Sequence, residues 1–378
     1  MPEPFTIHAT DALLEDLDRR LDAARWPAVL ESDWTRGTDS DWLRDLVGFW
    51  RHDFDWRARE DWLNETLPGQ RARVRGVDLH FAHVRGRGPN PLPLVLLHGW
   101  PSSFVEMHRL IGPLTDPAAH GGRAEDSFDV VVASLPGHGF SSAPEDPLFG
   151  ADEAADCIRD LMVEVLGYPA FAAHGGDRGA FVATGLAHRF PEHTIAIHQS
   201  LPMGIPDTPP SEEEQAWLAT TASWSAEEGG YSAIQGTRPM TLAYGLSDSP
   251  LGLAAWILEK FRAWSDCGGD PLSVFTREDL LTNVMIYWMT DTIHPSIRFY
   301  WAHRQKPPAA VRPERIDVPT GMALFPKEVM RPPRSAVERK YDLRRWTEMD
   351  AGGHFPALER PDALVDELRA FLRPFRSD

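Results

Sequence analysis

The sequence predicts an α/β protein with a mostly parallel central sheet. Segments with a strand pattern alternate with segments of helical periodicity from residue 77 to about residue 201, and the same alternation resumes from residue 318. Such alternation is typical of a parallel sheet that helices cover on both faces. The chain has 378 residues, of which 42% are hydrophobic and 25% charged. This length and balance fit one globular α/β core that carries an insertion or an extension.

The elements follow in a regular order. Strands are predicted at residues 77–84, 92–97, 128–134, 170–173 and 194–199, and again at 318–325 and 343–349; helices are predicted at 104–114, 158–165, 180–190 and 364–372. The run at 92–97 is apolar throughout, which indicates a strand buried on both faces. Gly167 ends the second of these helices, as glycine commonly does.

Three regions follow from this pattern. Residues 1–75 are predicted to form a helical N-terminal extension, because apolar residues recur there at helical spacing. Residues 76–203 and 306–378 form the α/β core. Residues 204–305 are first rich in proline and then helical and aromatic, so they are predicted to form a helical lid between two late strands. An insertion at that place lies above the carboxyl ends of the strands, where open α/β sheets bind ligands.

Composition excludes several classes of function. The formal net charge of −18 leaves no basic surface for nucleic acid or an anionic membrane. The two cysteines, Cys157 and Cys267, lie far apart and form no zinc motif, so we expect no metal site. No signal peptide or membrane span is indicated, and we expect a soluble, cytoplasmic protein. Dimerisation through the lid or the extension stays open.

The strongest candidate for a catalytic residue is Asp177, in the segment 175–179, Gly-Gly-Asp-Arg-Gly. This segment joins a predicted strand to a predicted helix. It has small residues two positions before and after the Asp, as in the nucleophile elbow of the α/β-hydrolase fold. Small flanks are needed because the turn is tight and brings strand and helix close together. No Gly-x-Ser-x-Gly segment competes with it. By itself the segment is equally consistent with an Asp that only caps the next helix.

The segment 98–101, His-Gly-Trp-Pro, follows the buried strand at 92–97. In this fold the loop at that place supplies one backbone N–H to an oxyanion hole, and the residue after the nucleophile supplies the other. The predicted donors are therefore the amides of Trp100 and Arg178. His98 is expected to be structural.

A base and an acid are predicted downstream of Asp177. His354, in Gly-Gly-His-Phe at 352–355, lies between the last strand and the final helix, where the fold places its catalytic histidine. Glu328 follows the strand at 318–325 and can orient the imidazole from the neighbouring strand end. Asp350 is the second choice for this acid. The order nucleophile, acid, histidine is that of the hydrolase fold, which favours the nucleophile interpretation of Asp177.

Taken together, these segments resemble the microsomal-type epoxide hydrolase family over nearly the whole chain, including segments 55–57 and 62–64 of the N-terminal extension. The resemblance implies two lid tyrosines that donate hydrogen bonds to the epoxide oxygen. Tyr300, in Arg-Phe-Tyr at 298–300, matches one, and Tyr231, in Gly-Gly-Tyr-Ser at 229–232, matches the other less completely. Tyr244 and Tyr287 are the remaining lid tyrosines. We expect no counterpart of the N-terminal membrane anchor of mammalian relatives.

The resemblance implies an epoxide hydrolase that converts an epoxide substrate to a vicinal diol without cofactor or metal. Ionised Asp177 attacks a ring carbon, and neutral His354, supported by Glu328, activates the water that cleaves the resulting ester. Two alternatives stay open: a haloalkane dehalogenase with the same Asp nucleophile, for which Trp100 is a candidate halide donor, and a non-catalytic binding protein of the hydrolase fold.

Overall fold

The computed structural model describes residues 2–28 and 31–376, and a nine-stranded sheet runs through them. The strands, in chain order, are β1 (Glu3–Phe5), β2 (Gly69–Val74), β3 (Val77–Val84), β4 (Leu92–Leu97), β5 (Phe128–Ala133), β6 (Phe171–Gly175), β7 (Thr194–Gln199), β8 (Ile316–Leu324) and β9 (Tyr341–Glu348). Their spatial order is β1-β2-β3-β5-β4-β6-β7-β8-β9. The neighbouring strands in the stretch β5-β4-β6-β7-β8-β9 are all parallel. The pairs β1–β2, β2–β3 and β3–β5 are antiparallel. The predicted α/β-hydrolase fold with a mostly parallel sheet is confirmed.

The position of β4 determines where a ligand can bind. The chain runs from β4 to β5 on one side of it and then returns to β6 on the other side. This reversal opens a crevice at the carboxyl ends of β4 and β6. The loop that begins at His98 and the turn at Gly176 both leave the sheet at this crevice.

Helices account for most of the remaining regular structure. They are α1 (Asp11–Asp22), α2 (Ser40–His52), α3 (Trp56–Thr66), α4 (His108–Thr115), α5 (Ala151–Asp160), α6 (Asp177–Arg189), α7 (Glu212–Glu228), α8 (Gly230–Gln235), α9 (Pro239–Asp248), α10 (Pro250–Trp264), α11 (Arg277–Thr290), α12 (Ile293–Gln305), α13 (Arg334–Lys340), α14 (Pro356–Glu359) and α15 (Pro361–Leu372). In the described ranges, no helix is both long and apolar enough to cross a membrane.

The sequence predicts a helical N-terminal extension, but the observed segment is not purely helical. It contains α1, α2 and α3, but β1 and β2 also extend the sheet at its antiparallel edge. β1 has only three residues, and in β2 only Ala72 and Val74 are buried. A very short strand, or one with exposed arginines, gives a weak apolar pattern, which explains why both escaped prediction.

Six helices, α7 to α12, lie between β7 and β8, in the segment that the sequence predicted as a lid. Helix α11 is attached to the loop after β4. Its Asn283 donates an amide hydrogen bond to the Pro101 carbonyl at 2.8 Å, and the Tyr287 hydroxyl donates to the Ser102 carbonyl at 2.8 Å. These buried hydrogen bonds fix the insertion above the crevice. The exact limits of the three regions stay a prediction.

Candidate active site

Asp177 is the first residue of α6, directly after the end of β6. The predicted helix began three residues later, at residue 180; the observed start places Asp177 in the first turn. Its φ of +44° lies in the left-handed region, which is strained for a residue with a Cβ atom. The turn leaves no room at its flanks: a Cβ on Gly179 would lie 2.0 Å from the Leu97 carbonyl oxygen, and one on Gly175 would lie 2.3 Å from the Gly179 carbonyl carbon.

One predicted oxyanion donor already contacts the carboxylate. The Trp100 amide donates to Asp177 Oδ1 at 2.9 Å. The Arg178 amide is at the second position of α6, where a backbone N–H has no partner within the helix. Both amides are therefore available at the end of the crevice, and the start of α6 adds a positive dipole end close to Asp177.

His354 lies between two carboxylates. Its Nδ1 is 2.6 Å from Glu328 Oε1, and its Nε2 is 3.4 Å from Asp177 Oδ2. The Val329 amide also donates to Glu328 Oε1, at 2.7 Å, which fixes the carboxylate. Asp350, the second choice for the acid, is exposed to solvent. The structure thus brings Asp177, His354 and Glu328 together and leaves Asp350 outside.

The charges at this site influence one another. Burial opposes ionisation of Asp177, but the neighbouring His354 imidazolium, together with the charge of Arg178, holds the pKa of Asp177 below its usual value. Burial likewise opposes protonation of His354, yet the carboxylates of Glu328 and Asp177 raise its pKa well above the usual value. The free site therefore favours an ionised Asp177 beside a cationic His354. The neutral His354 of the mechanism predicted from the sequence belongs to the later stage, after the ester has formed.

Tyr231 and Tyr300, on α8 and α12, meet above the loop that carries Trp100. Their ring centroids are 5.7 Å apart, and the rings are nearly perpendicular. Trp100 stacks on Tyr231 at 5.6 Å and contacts Tyr300 edge to face at 5.7 Å. The Tyr300 hydroxyl is buried and has no hydrogen-bond partner among the described residues. An unpaired buried hydroxyl is costly, which indicates a place for a ligand acceptor.

The other lid tyrosines lie elsewhere. Tyr244 is 74% exposed, and Tyr287 uses its hydroxyl to bind the Ser102 carbonyl. Neither is available as a donor at this site. Tyr231 and Tyr300 are thus the two lid phenols that face the crevice.

Aromatic rings close the site from above. Trp264 lies 5.0 Å from both the Tyr231 ring and the His354 ring, and its carbonyl accepts the His354 amide at 2.9 Å. The Asp177 side chain nevertheless keeps 17% of its surface accessible. A small molecule that reaches Asp177 would enter surroundings of low dielectric constant, where hydrogen bonds and charges act strongly.

His98 is structural, as expected. Its Nε2 accepts the Leu135 amide at 3.1 Å, and its Nδ1 is 3.1 Å from the Gly99 carbonyl oxygen. This pairing requires the proton on Nδ1. Burial lowers the pKa of His98 to about 4, so the ring stays neutral and holds the loop before Trp100.

Two cations beside the phenols were not anticipated from the sequence. The Arg178 guanidinium lies 3.9 Å from the Tyr300 ring centroid, and the Lys260 ammonium lies 4.9 Å from that of Tyr231. Only 8% of Arg178 and 6% of Lys260 are exposed. The sequence offered a signal for each: Arg178 directly follows the nucleophile, and Lys260 lies in a largely apolar helical segment, four residues before Trp264. In the described ranges, no cluster of three or more His, Cys, Asp or Glu side chains is arranged to hold a metal ion.

Comparison with known proteins agrees with this geometry. Residues 2–107 match the family model described as the epoxide hydrolase N terminus, and residues 93–245 match the alpha/beta hydrolase fold. A protein of Stigmatella aurantiaca named as an epoxide hydrolase is 42% identical over 99% of this chain and 85% of its own length. Epoxide hydrolase 1 of Oryctolagus cuniculus is 35% identical over 98% of this chain and 88% of its own length.

Solved structures of epoxide hydrolases are also similar to this chain over nearly its whole length. Juvenile hormone epoxide hydrolase from Bombyx mori superposes with a TM-score of 0.90 at 28% identity, covering 100% of this chain and 95% of its own. The epoxide hydrolase of Aspergillus niger superposes with a TM-score of 0.85 at 31% identity, covering 99% of this chain and 97% of its own.

Proposed function

The chain belongs to the microsomal-type epoxide hydrolase family, and on that premise we propose that it converts an epoxide to a vicinal diol through a covalent ester on Asp177. The observation that carries the proposal is the placement of His354, with Glu328 at 2.6 Å on one side and Asp177 at 3.4 Å on the other. A carboxylate nucleophile at this position needs no base for its own attack. It needs one only for the water that follows.

In the first step, an Asp177 carboxylate oxygen bonds to one epoxide carbon while the bond from that carbon to the ring oxygen breaks. The electron pair goes to the ring oxygen. Tyr231 and Tyr300 donate hydrogen bonds to this oxygen and reduce the charge that develops on it. The hydroxyl of Tyr300, which lacks a protein partner in the described part of the chain, is well suited to this role.

In the second step, water attacks the carbonyl carbon of the Asp177 ester. The bond from that carbon to the alkyl oxygen then breaks, so that the diol leaves and the Asp177 carboxylate is restored. Formation of the ester removes one of the two carboxylate charges that raise the pKa of His354, so this pKa falls. The imidazolium then releases its proton, which balances the proton taken up by the former epoxide oxygen, and the neutral imidazole becomes a base. Glu328 stabilises the imidazolium that forms when the water gives up its proton. The amides of Trp100 and Arg178 stabilise the oxyanion, each contributing about 3 kcal/mol.

A haloalkane dehalogenase reaction is the second candidate, since one observation favours it. The indole N–H groups of Trp100 and Trp264 are buried without partners in the described ranges, and such donors suit a departing halide. The two phenols and the family membership favour the epoxide. The same nucleophile would serve either reaction.

Product analysis with styrene oxide and a chloroalkane separates the two. We expect diol from styrene oxide, little chloride release, and loss of both activities in Asp177→Asn. Asp317→Asn is the matched control because that side chain is 89% exposed, and it should retain full activity. Diol formation by Asp177→Asn, or chloride release as the main activity, would overturn the proposal.

A further inference from the structure

Arg178 is a buried cation whose partners are unusual. A guanidinium that loses its water usually gains a carboxylate, because burial of an unpaired charge is costly. Across residues 2–28 and 31–376, no Asp or Glu forms an ion pair with Arg178 within 4.0 Å. Its Nε has no hydrogen-bond partner there either. The charge of the neighbouring Asp177 acts on the guanidinium, but no carboxylate pairs with it directly.

Helix α12 holds this guanidinium in one place. Nη1 of Arg178 donates to His303 Nδ1 at 3.2 Å, and the guanidinium carbon lies 3.9 Å from the Tyr300 ring centroid. Burial and the Arg178 charge lower the pKa of His303 to about 3, so His303 is neutral. Because a guanidinium can only donate, Nδ1 of His303 is the acceptor. Tyr300 and His303 are three residues apart, on one face of the helix. The hydrogen bond from Arg178 to His303 holds the guanidinium against the Tyr300 ring.

The cation beside the other phenol is compensated. The Lys260 ammonium is 4.9 Å from the Tyr231 ring centroid, but it is also 2.6 Å from Glu259 and 3.8 Å from Glu228. Two carboxylates offset its charge. The two phenols thus differ in the cation on their ring: the guanidinium at Tyr300 has no ion-paired carboxylate within 4.0 Å among the described residues, whereas the ammonium at Tyr231 has two.

We propose that the Arg178 side chain is a positioning residue that makes Tyr300 a stronger acid during opening of the epoxide than this phenol would be without the cation. This rests on the proposed function. As the Asp177 oxygen bonds to the ring carbon and the C–O bond breaks, the ring oxygen takes the phenolic proton of Tyr300. Negative charge develops on the phenol, and a cation over its ring stabilises that charge. Water returns the proton to Tyr300 before the next turnover.

The test is a double-mutant cycle on the rate of ester formation, measured with styrene oxide by rapid quenching of single turnovers. Arg178→Met should slow ester formation about tenfold, the factor that corresponds to roughly 1.4 kcal/mol, a typical value for a desolvated cation–ring contact. The loss should shrink to less than about twofold in the Tyr300→Phe background and persist in the Tyr231→Phe background. Hydrolysis of the ester should change little, because the Arg178 amide is unaffected.

Two controls keep the outcome interpretable. Arg178→Lys keeps the charge and should recover most of the rate, and it provides a folded comparison where Arg178→Met proves unstable. Arg304→Met removes an exposed cation from the same helix and should leave the rate unchanged. An Arg178→Met loss of equal size in the Tyr300→Phe background, or no loss in either background, would overturn this inference. Absence of any ester in the unaltered enzyme would instead contradict the proposed function.

Discussion

The Nε2 atom of His354 lies 3.4 Å from Oδ2 of Asp177, beyond hydrogen-bond length for a charged pair but in direct electrostatic contact. Glu328 binds the opposite nitrogen of the ring at 2.6 Å. This arrangement makes the protonation of His354 depend on the charge of Asp177. Formation of an ester on Asp177 thus prepares His354 for the next step.

Replacement of His354 separates the two chemical steps. His354→Gln should still form the ester, since an ionised carboxylate attacks without a base, but it should hydrolyse the ester roughly a thousandfold more slowly. Intact-protein mass spectrometry after mixing with styrene oxide should show the adduct accumulate. A variant that turns over normally, or forms no adduct although it is folded, would contradict the role given to His354.

Glu328 and Asp350 can be told apart by matched amide variants. Glu328→Gln removes the charge that supports the imidazolium and should reduce kcat roughly a thousandfold. Asp350→Asn should leave kcat within about twofold of the original, because Asp350 is exposed. Steady-state diol production is the measurement. A large effect at Asp350 and a small one at Glu328 would reverse the assignment.

The Tyr300 hydroxyl should contribute to activity but not to stability. Tyr300→Phe should slow ester formation by roughly a hundredfold, because it removes a donor to the developing alkoxide. Its free energy of unfolding should not fall, since the hydroxyl has no partner among the described residues. Tyr244→Phe, at a 74% exposed side chain, is the control for both measurements. A Tyr300→Phe variant with full activity and lower stability would show that the hydroxyl is structural.

Glu106 gives a prediction about stability and pH. It is 7% exposed, and burial raises its pKa to about 7 from the ordinary 4.5. Because the folded pKa exceeds the unfolded one, its stabilising contribution is complete below pH 4.5 and is lost as the pH rises towards 7. The free energy of unfolding should fall between pH 6 and pH 8, and this fall should be smaller by about 1.3 kcal/mol in Glu106→Gln. Urea unfolding at these two pH values is the measurement, and an unchanged difference in the variant would refute the assignment.

Much of the fold and the site could be predicted because short segments reflect local constraints on the backbone and on packing. The flanks of Asp177 are glycines since strand and helix approach too closely for a Cβ, and that constraint is visible in sequence. The position of His354 follows from the order of the elements. β1 was missed because it has only three residues, and β2 because its exposed arginines weaken the apolar alternation.

The electrostatic partners could not be predicted, because they depend on tertiary contacts. Arg178 meets Tyr300 and His303 across more than 120 residues, and no local pattern encodes that contact. The choice between Glu328 and Asp350 likewise depends on the direction of the chain after two different strands. The sequence predicts both acids near His354, and the folded structure shows that Glu328 reaches Nδ1.

The central claim is that Asp177 becomes covalently bound, and a single turnover in heavy-oxygen water tests it most directly. With enzyme in excess over styrene oxide, the water that cleaves the ester gives its oxygen to the carboxylate of Asp177 and not to the diol. We predict one heavy oxygen in the peptide that contains Asp177, and an unlabelled diol from the first turnover. A labelled diol with an unlabelled Asp177 peptide would mean that water attacks the epoxide directly, and the account would be wrong.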